Sequence, residues 1–198
     1  MQRINIGVIS DTHLAGDGKG LPAQVFQAFK NVDLILHCGD LECLGVLDEL
    51  EKIAPVKAVR GYEDPTEIGD RLADRVRVIP ISITGRSELR IGMVHDIQWP
   101  YPPIYTASDG QSIVLPENDY DTRILVTKKF GSQVDIVLFG DTHEELSIWS
   151  QNILWMNPGS PTFPGKNHES NTVGTVGLLY VDALHIQPCI INLREIDQ

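Results

Sequence analysis

The sequence predicts an α/β fold with parallel strands first and hairpins later, and two patterns carry the prediction. Up to Gly61, short apolar runs alternate with segments of helical spacing. Beyond Arg75, apolar runs mostly follow one another across polar turns. A strand–helix–strand succession of the first kind requires parallel pairing through right-handed crossovers.

Each element has its own signal. "INIGVIS" is a short buried strand, and "LPAQVFQAFKN" follows with Pro22 near its start and Val25, Phe26 and Phe29 at helical spacing. "VDLILHCGD" is continuously apolar, as a strand covered on both faces should be. Residues 43–52 form a second helix and "PVKAVRG" a third strand. "RVRVIPISITGRSELRIGMVHD" reads as two strands about a turn at Gly85–Ser87. A long irregular stretch, "IQWPYPPIYTASDGQSIVLPEND", comes next, and a loop of that length is a functional or mobile segment. "DTRILVTKKFG" is a helix stopped by Gly131, "VDIVLFGD" a buried strand, "ELSIWS" with "NILWMN" a hairpin about 150–152. After the loop "NPGSPTFPGKNHESN", "TVGTVGLLYVD" and "ALHIQPCIINL" make a last hairpin.

Composition narrows the function. The 198 residues, 42% hydrophobic and 22% charged, suit one globular domain over 1–198 with an insertion at about 96–120. The net charge of −11 repels phosphate backbones and argues against nucleic-acid binding through a basic face. A small phosphorylated molecule stays open, because bound cations reverse the sign of a cleft locally. Cys38, Cys43 and Cys189 are odd in number and lack Cys-x-x-Cys spacing, which points to a reduced, cytoplasmic setting. "MQRINIGVIS" does not read as a signal peptide, and no apolar run is long enough to span a membrane.

The chemistry gathers where strands end. Sites in parallel sheets form at carboxyl ends, where the loops leave together. The first strand releases Asp11 and His13, the second Asp40, the third "RGYED", "RIGMV" releases His95 and Asp96, and "VDIVLFG" releases Asp141 and His143. Carboxylates and imidazoles without thiolates suit Mn²⁺, Fe²⁺ or Zn²⁺. Six ligands, Asp11, His13, Asp40, His95, Asp141 and His143, exceed the needs of one tetrahedral ion and suit a pair sharing a carboxylate.

The ordered motifs "DTH", "GD", "RGYED", "VH", "GDTH" and "NPGS" resemble the calcineurin-like metallophosphoesterases, and most of all their small bacterial phosphodiesterase branch, itself similar to the retromer subunit Vps29. The resemblance runs from residue 4 to about 190. It implies a two-sheet sandwich flanked by helices, in α-β-β-α layers. It also implies two divalent ions, manganese foremost, with iron, zinc, magnesium or nickel as alternatives. The implied activity is hydrolysis of a small phosphodiester or phosphomonoester by a metal-bound hydroxide, with Asp40 and His95 supporting the nucleophile. In the family pattern Asp11, His13, Asp40 and His143 hold the first ion. The second shares Asp40 and takes His95 with the groups at Tyr62 and Asp141.

Those last two positions depart from the pattern, which has Asn at Tyr62 and His at Asp141. Asp141 adds negative charge and favours Mn²⁺ or Mg²⁺ over softer ions. Tyr62 could tilt away, stack on substrate or fill the place of the second ion. Glu63 is either a substrate-side acid or base or an exposed glutamate, and Asp64 is expected to fix its loop by hydrogen bonds. His95 has a satisfied core histidine as its alternative reading, Asp141 could equally be structural, and Asn157–Ser160 reads as a supporting turn. "WPYPPIY" either selects substrate, packs on its own domain, or presents a surface to a protein partner or a second copy. The departures together define an alternative: a protein-binding scaffold of the same fold whose second metal site has degraded.

Overall fold

Alternation along each strand sends side chains to opposite faces and thereby sets the layering of the chain. In a computed structural model describing residues 2–16, 18–66, 71–107, 112–114, 121–169 and 172–196, the elements run β1 (Arg3–Ile9), α1 (Ala23–Ala28), β2 (Leu34–His37), α2 (Gly45–Leu50) and β3 (Val56–Ala58). They continue with β4 (Val76–Ile81), β5 (Leu89–Val94), β6 (Tyr105–Thr106), β7 (Ile113–Val114), α3 (Thr122–Phe130) and β8 (Ile136–Leu138). The chain then forms β9 (Leu146–Ser150), β10 (Ile153–Asn157), β11 (Thr175–Asp182), β12 (Ile186–Asn192) and a 3-10 turn at Leu193–Glu195.

Two five-stranded sheets result, ordered β12-β11-β1-β2-β3 and β4-β5-β8-β10-β9. β1, β2 and β3 pair in parallel, as do β5, β8 and β10. Hairpins β4–β5, β9–β10 and β11–β12 supply the antiparallel margins, and β11 also pairs antiparallel with β1. The layers are those of an α-β-β-α sandwich. Ile6, Val8 and Leu36 of the first sheet meet Ile91, Met93, Ile136, Leu138 and Leu154 of the second in a central core. Their strand neighbours face outward. Ile9 and Ile35 pack on Val25, Phe29 and Leu47 from α1 and α2, and Val94, Val137 and Trp155 pack on Val126 and Phe130 from α3.

Two glycines let the helices close on the sheets. A Cβ on Gly7 would sit 3.0 Å from the Phe29 ring, and one on Gly92 would sit 2.9 Å from the Phe130 ring. Each phenyl ring needs the space a side chain would take.

Most elements match the sequence prediction, with the first two helices shorter than predicted. The stretch after His95 is not wholly irregular: β6 and β7 pair antiparallel within it. Residues 108–111 and 115–120 of that insertion lie outside the described residues. All three cysteines are free. Among the described residues no helix is long and apolar enough to cross a membrane.

Candidate metal centre

Because β1, β2, β3, β5, β8 and β10 run in parallel within their sheets, their carboxyl-end loops meet at one edge of the sandwich. The residues after β1 and β2 keep step: Asp11 N–H donates to Gly39 O (2.9 Å) and His13 N–H to Asp40 O (3.0 Å). In the other sheet Gly140 N–H donates to His95 O (2.8 Å). Two bonds then stitch sheet to sheet. His95 Nδ1–H donates to Cys38 O (2.9 Å), and Asp141 N–H to the Asp11 carboxylate, 3.2 Å from either oxygen.

The backbone here is strained. Asp11, His13, Asp40, Glu42, Asp141 and His143 all have positive φ, between 41° and 70°. Non-glycine residues in this region cost about 1–3 kcal/mol each, and Asp and His tolerate it better than most. Such a conformation persists only where surrounding bonds over-determine it. Asp64 supplies many of them: Oδ1 accepts from Leu41 N–H (2.7 Å) and Glu42 N–H (2.9 Å), Oδ2 from Asp40 N–H (3.0 Å) and Gly61 N–H (2.8 Å). The Asn157–Ser160 turn supplies others. Asn157 Nδ2 donates to Gly140 O and Thr142 Oγ1, while Ser160 Oγ donates to Asp11 O (2.7 Å).

The three site histidines share one pattern. His13 Nδ1–H donates to Glu42 Oε1 (2.8 Å), His143 Nδ1–H to Phe163 O (2.7 Å), and His95 Nδ1–H to Cys38 O. A carbonyl or carboxylate can only accept, so each Nδ1 carries a proton and Nε2 is the nitrogen left to face the site. Those Nε2 atoms converge. His13 Nε2 and His143 Nε2 lie 3.1 Å apart, and His143 Nε2 is 3.6 Å from Asp11 Oδ1. His95 Nε2 is 3.1 Å from Asp40 Oδ2 and 3.8 Å from Asp141 Oδ1, yet it is buried with no hydrogen-bond partner.

Two trios therefore form, Asp11–His13–His143 and Asp11–Asp40–His95, each with ligand atoms within 4.8 Å of one another. Asp11 belongs to both, where the family pattern has Asp40 as the shared carboxylate. Asp141 enters neither trio and stands beside His95. The donor set fits divalent ions. Two nitrogens bound at 2.0–2.1 Å to one tetrahedral ion would be roughly 3.3 Å apart, close to the His13–His143 separation. Orienting imidazoles through Nδ1 is the usual arrangement behind a metal-binding Nε2.

Titration reflects the crowding. Burial raises Asp11 above the usual carboxylate range, and burial with Asp96 nearby raises Asp141. Burial opposes charge on Asp40 too, but His95 and the Glu63 N–H outweigh it and hold its carboxyl low. Burial also works against protonating His95, yet Asp40 and Asp11 push it up to about 9.

Tyr62 takes neither extreme offered by the sequence. Its hydroxyl donates to Asp96 Oδ2 (2.6 Å), and its ring stands edge-on to His95 at 5.6 Å, half exposed. Glu63 is exposed, and its backbone N–H donates to Asp40 Oδ1 (2.9 Å). Asp64 fixes its loop as expected. His37 is buried between Thr12 Oγ1 and Gly39 N–H, His168 pairs with Glu145, and His185 is on the surface. Sequence reasoning missed Glu42, two residues past Asp40, because its contact depends on the positive φ that turns it toward His13.

Comparison with known proteins places the fold and the sequence in one family. The family model for the calcineurin-like phosphoesterase superfamily domain matches residues 4–182. A probable metallophosphoesterase of Methanocaldococcus jannaschii is 36% identical over 159 residues, covering 80% of this chain and 69% of the relative. Vacuolar protein sorting 29 from Cryptosporidium parvum shares the fold at a TM-score of 0.69 and 19% identity, over 98% of this chain and 93% of that one. An uncharacterised protein from Streptococcus pneumoniae, described as a predicted phosphoesterase, does so at 0.61 and 18%, over 98% and 92%. With its motifs, its sandwich and its cluster of aspartates and histidines accounted for, the chain belongs to the calcineurin-like phosphoesterase superfamily.

Proposed function

We propose that this chain is a divalent-metal-dependent phosphoesterase that hydrolyses a small phosphodiester or phosphomonoester. The observation that supports this most is the orientation of His13, His95 and His143, whose Nδ1 atoms are committed and whose Nε2 atoms share one space with Asp11 and Asp40. Asp11, His13 and His143 would hold one ion and Asp11, Asp40 and His95 a second, with Asp141 at its side; manganese suits this oxygen-rich set. Bound divalent ions would offset phosphoryl charge and lower the pKa of water enough to yield a nucleophile near neutral pH.

The chain's own part is positioning. Glu42 and Phe163 O aim His13 and His143 across the two sheets. His95 holds a proton on Nδ1 against Cys38 O, so Nε2 is the atom that would bind an ion, releasing any proton it carries. Ser160 and Thr162 hold the carbonyl of Asp11 and so fix the carboxylate common to both trios. Tyr62 and Glu63 stand on the solvent side, where an incoming ester would pass.

The test is hydrolysis of p-nitrophenyl phosphate and bis(p-nitrophenyl) phosphate with added Mn²⁺, in wild type and Asp40→Asn, alongside metal content per chain. Two ions and a fall in turnover of at least a hundredfold in the variant are expected. Equal inertness of both proteins after metal loading overturns the reading.

A second reading has specific support. Tyr62 and Asp141 replace two ligands of the family pattern, and the fold resembles vacuolar protein sorting 29. Under this reading the chain is a scaffold that docks a protein or a second copy through the 96–120 loop. One ion or none per chain, together with inertness, would favour it.

A further inference from the structure

Beside the two trios lies a notch that His95 shares with residues outside them. Arg60, Tyr62, Arg75, Asp96 and Trp99 line it, and it borders His95 itself. Its inner volume is about 10 Å³, room for one water and no more, so a ligand would lie across its rim.

The rim is aromatic and held in place. Tyr62 is 53% exposed and Trp99 47%, although both are large apolar rings. The Tyr62 hydroxyl is tied to Asp96, and the Tyr62 ring edge rests on His95. Arg75 Cζ sits 5.1 Å from the centroid of the Trp99 ring. Lys129 Nζ, on buried Lys129 of α3, donates to Pro100 O next to Trp99 and so anchors the segment that carries the indole.

The notch also carries uncompensated donors. Arg60 Nε is buried without a hydrogen-bond partner. Among the described residues neither Arg60 nor Arg75 has a salt-bridge partner, in a chain whose net charge is −11. Two guanidinium groups without an ionic partner at one rim favour an acceptor-bearing ligand there, because hydrogen bonds from a charged donor are the stronger kind.

Fixed rings and two guanidinium groups without ionic partners, one of them stacked, beside the reacting centre together describe a seat for a flat, acceptor-bearing ring system. We propose that the organic half of the substrate is a nucleobase-type ring, lying on Tyr62 and Trp99 with its acceptors toward the Arg60 and Arg75 guanidinium groups, so that the substrate class is a nucleotide phosphoester. This rests on the phosphoesterase reading. Trp99 and Tyr62 are then specificity-determining residues, and the Asn-to-Tyr departure is a gain of a recognition surface rather than a loss.

The experiment compares binding of adenosine 5′-monophosphate and ribose 5-phosphate to the Mn²⁺-loaded full chain by calorimetry. The two probes share sugar and phosphate and differ in the ring. Stacking of a base on an aromatic side chain predicts about tenfold tighter binding of the nucleotide. Trp99→Leu and Tyr62→Leu should each bring the ratio toward one, and Trp99→Phe should keep it. Equal affinities in wild type, or a ratio unchanged in a folded Trp99→Leu, overturn the proposal. If the leucine variants do not fold, quenching of indole fluorescence by the nucleotide in wild type but not in Trp99→Phe decides the matter. Equal affinities alongside metal-dependent hydrolysis of bis(p-nitrophenyl) phosphate discard only the ring seat. Absence of hydrolysis and of binding by either probe discards the phosphoesterase reading as well.

Discussion

His13 Nε2 and His143 Nε2 face each other at 3.1 Å, and the Nδ1 of each donates elsewhere. In the neutral imidazoles the two Nε2 lone pairs then face each other, and they repel unless a cation stands between them. Divalent metal should therefore stabilise the fold. By mass action, an ion at a hundred times its dissociation constant adds about 2.7 kcal/mol. Thermal unfolding with and without EDTA should show the melting temperature rising with Mn²⁺ or Zn²⁺. His143→Ala should lose most of that rise, and an equal rise in the variant would refute the shared site.

Asp64 touches no reacting group in this arrangement, yet four backbone N–H groups converge on it. Truncation to alanine would leave those donors without their acceptor, in loops already at positive φ. Asp64→Ala should cost on the order of 3 kcal/mol or more, measured by urea unfolding. It should also weaken metal binding, since Asp40 would lose its backbone anchor. A loss below about 1 kcal/mol would show that water replaces the carboxylate.

Two glycines should answer differently to alanine. A Cβ on Gly61 would collide with Asp40 Oδ1, whereas one on Gly131, at φ 71°, meets nothing within 4 Å. Gly131→Ala should cost only about 1 kcal/mol, from backbone conformation at the end of α3. Gly61→Ala should displace the Asp40 carboxylate and lower metal content per chain. Full metal loading in Gly61→Ala would contradict the geometry.

His37 gives a pH dependence. Complete burial pulls its pKa down to about 4, from 6.5. Between those values the unfolded chain binds a proton that the folded chain refuses, so stability falls as pH drops from 6.5 toward 4. The linkage amounts to about 3 kcal/mol over the full window. His37→Gln should be less stable than wild type at pH 7, and the gap should narrow as pH falls to 4.5. A constant gap in urea titrations would show that His37 does not titrate across this range.

Much of the site could be read from the sequence because its residues follow buried strands at once. "VIS" before Asp11 and "VLF" before Gly140 leave little doubt about where a strand stops, and Asp11, His13, Asp40, His95 and His143 are all brought together. What escaped depends on contacts far along the chain. Tyr62 owes its direction to Asp96, and His143 owes its tautomer to Phe163 O. Neither partner is marked by local pattern. The positive φ values were hidden as well, because aspartate and histidine give no sign of an αL backbone as glycine does. The paired strands β6 and β7 are too short for alternation to register.

β1 occupies an inner position of its sheet, flanked by β2 on one side and β11 on the other, with Ile6 opposite Leu179. During synthesis its second hydrogen-bonding edge stays bare until β11 leaves the ribosome, long after α1 and β2 are available. The loop bearing Asp11 thus acquires its supports from Ser160 and Thr162 late. A nascent chain would expose an apolar strand margin until β11 arrives, a period in which chaperone contact or mispairing has its best opportunity.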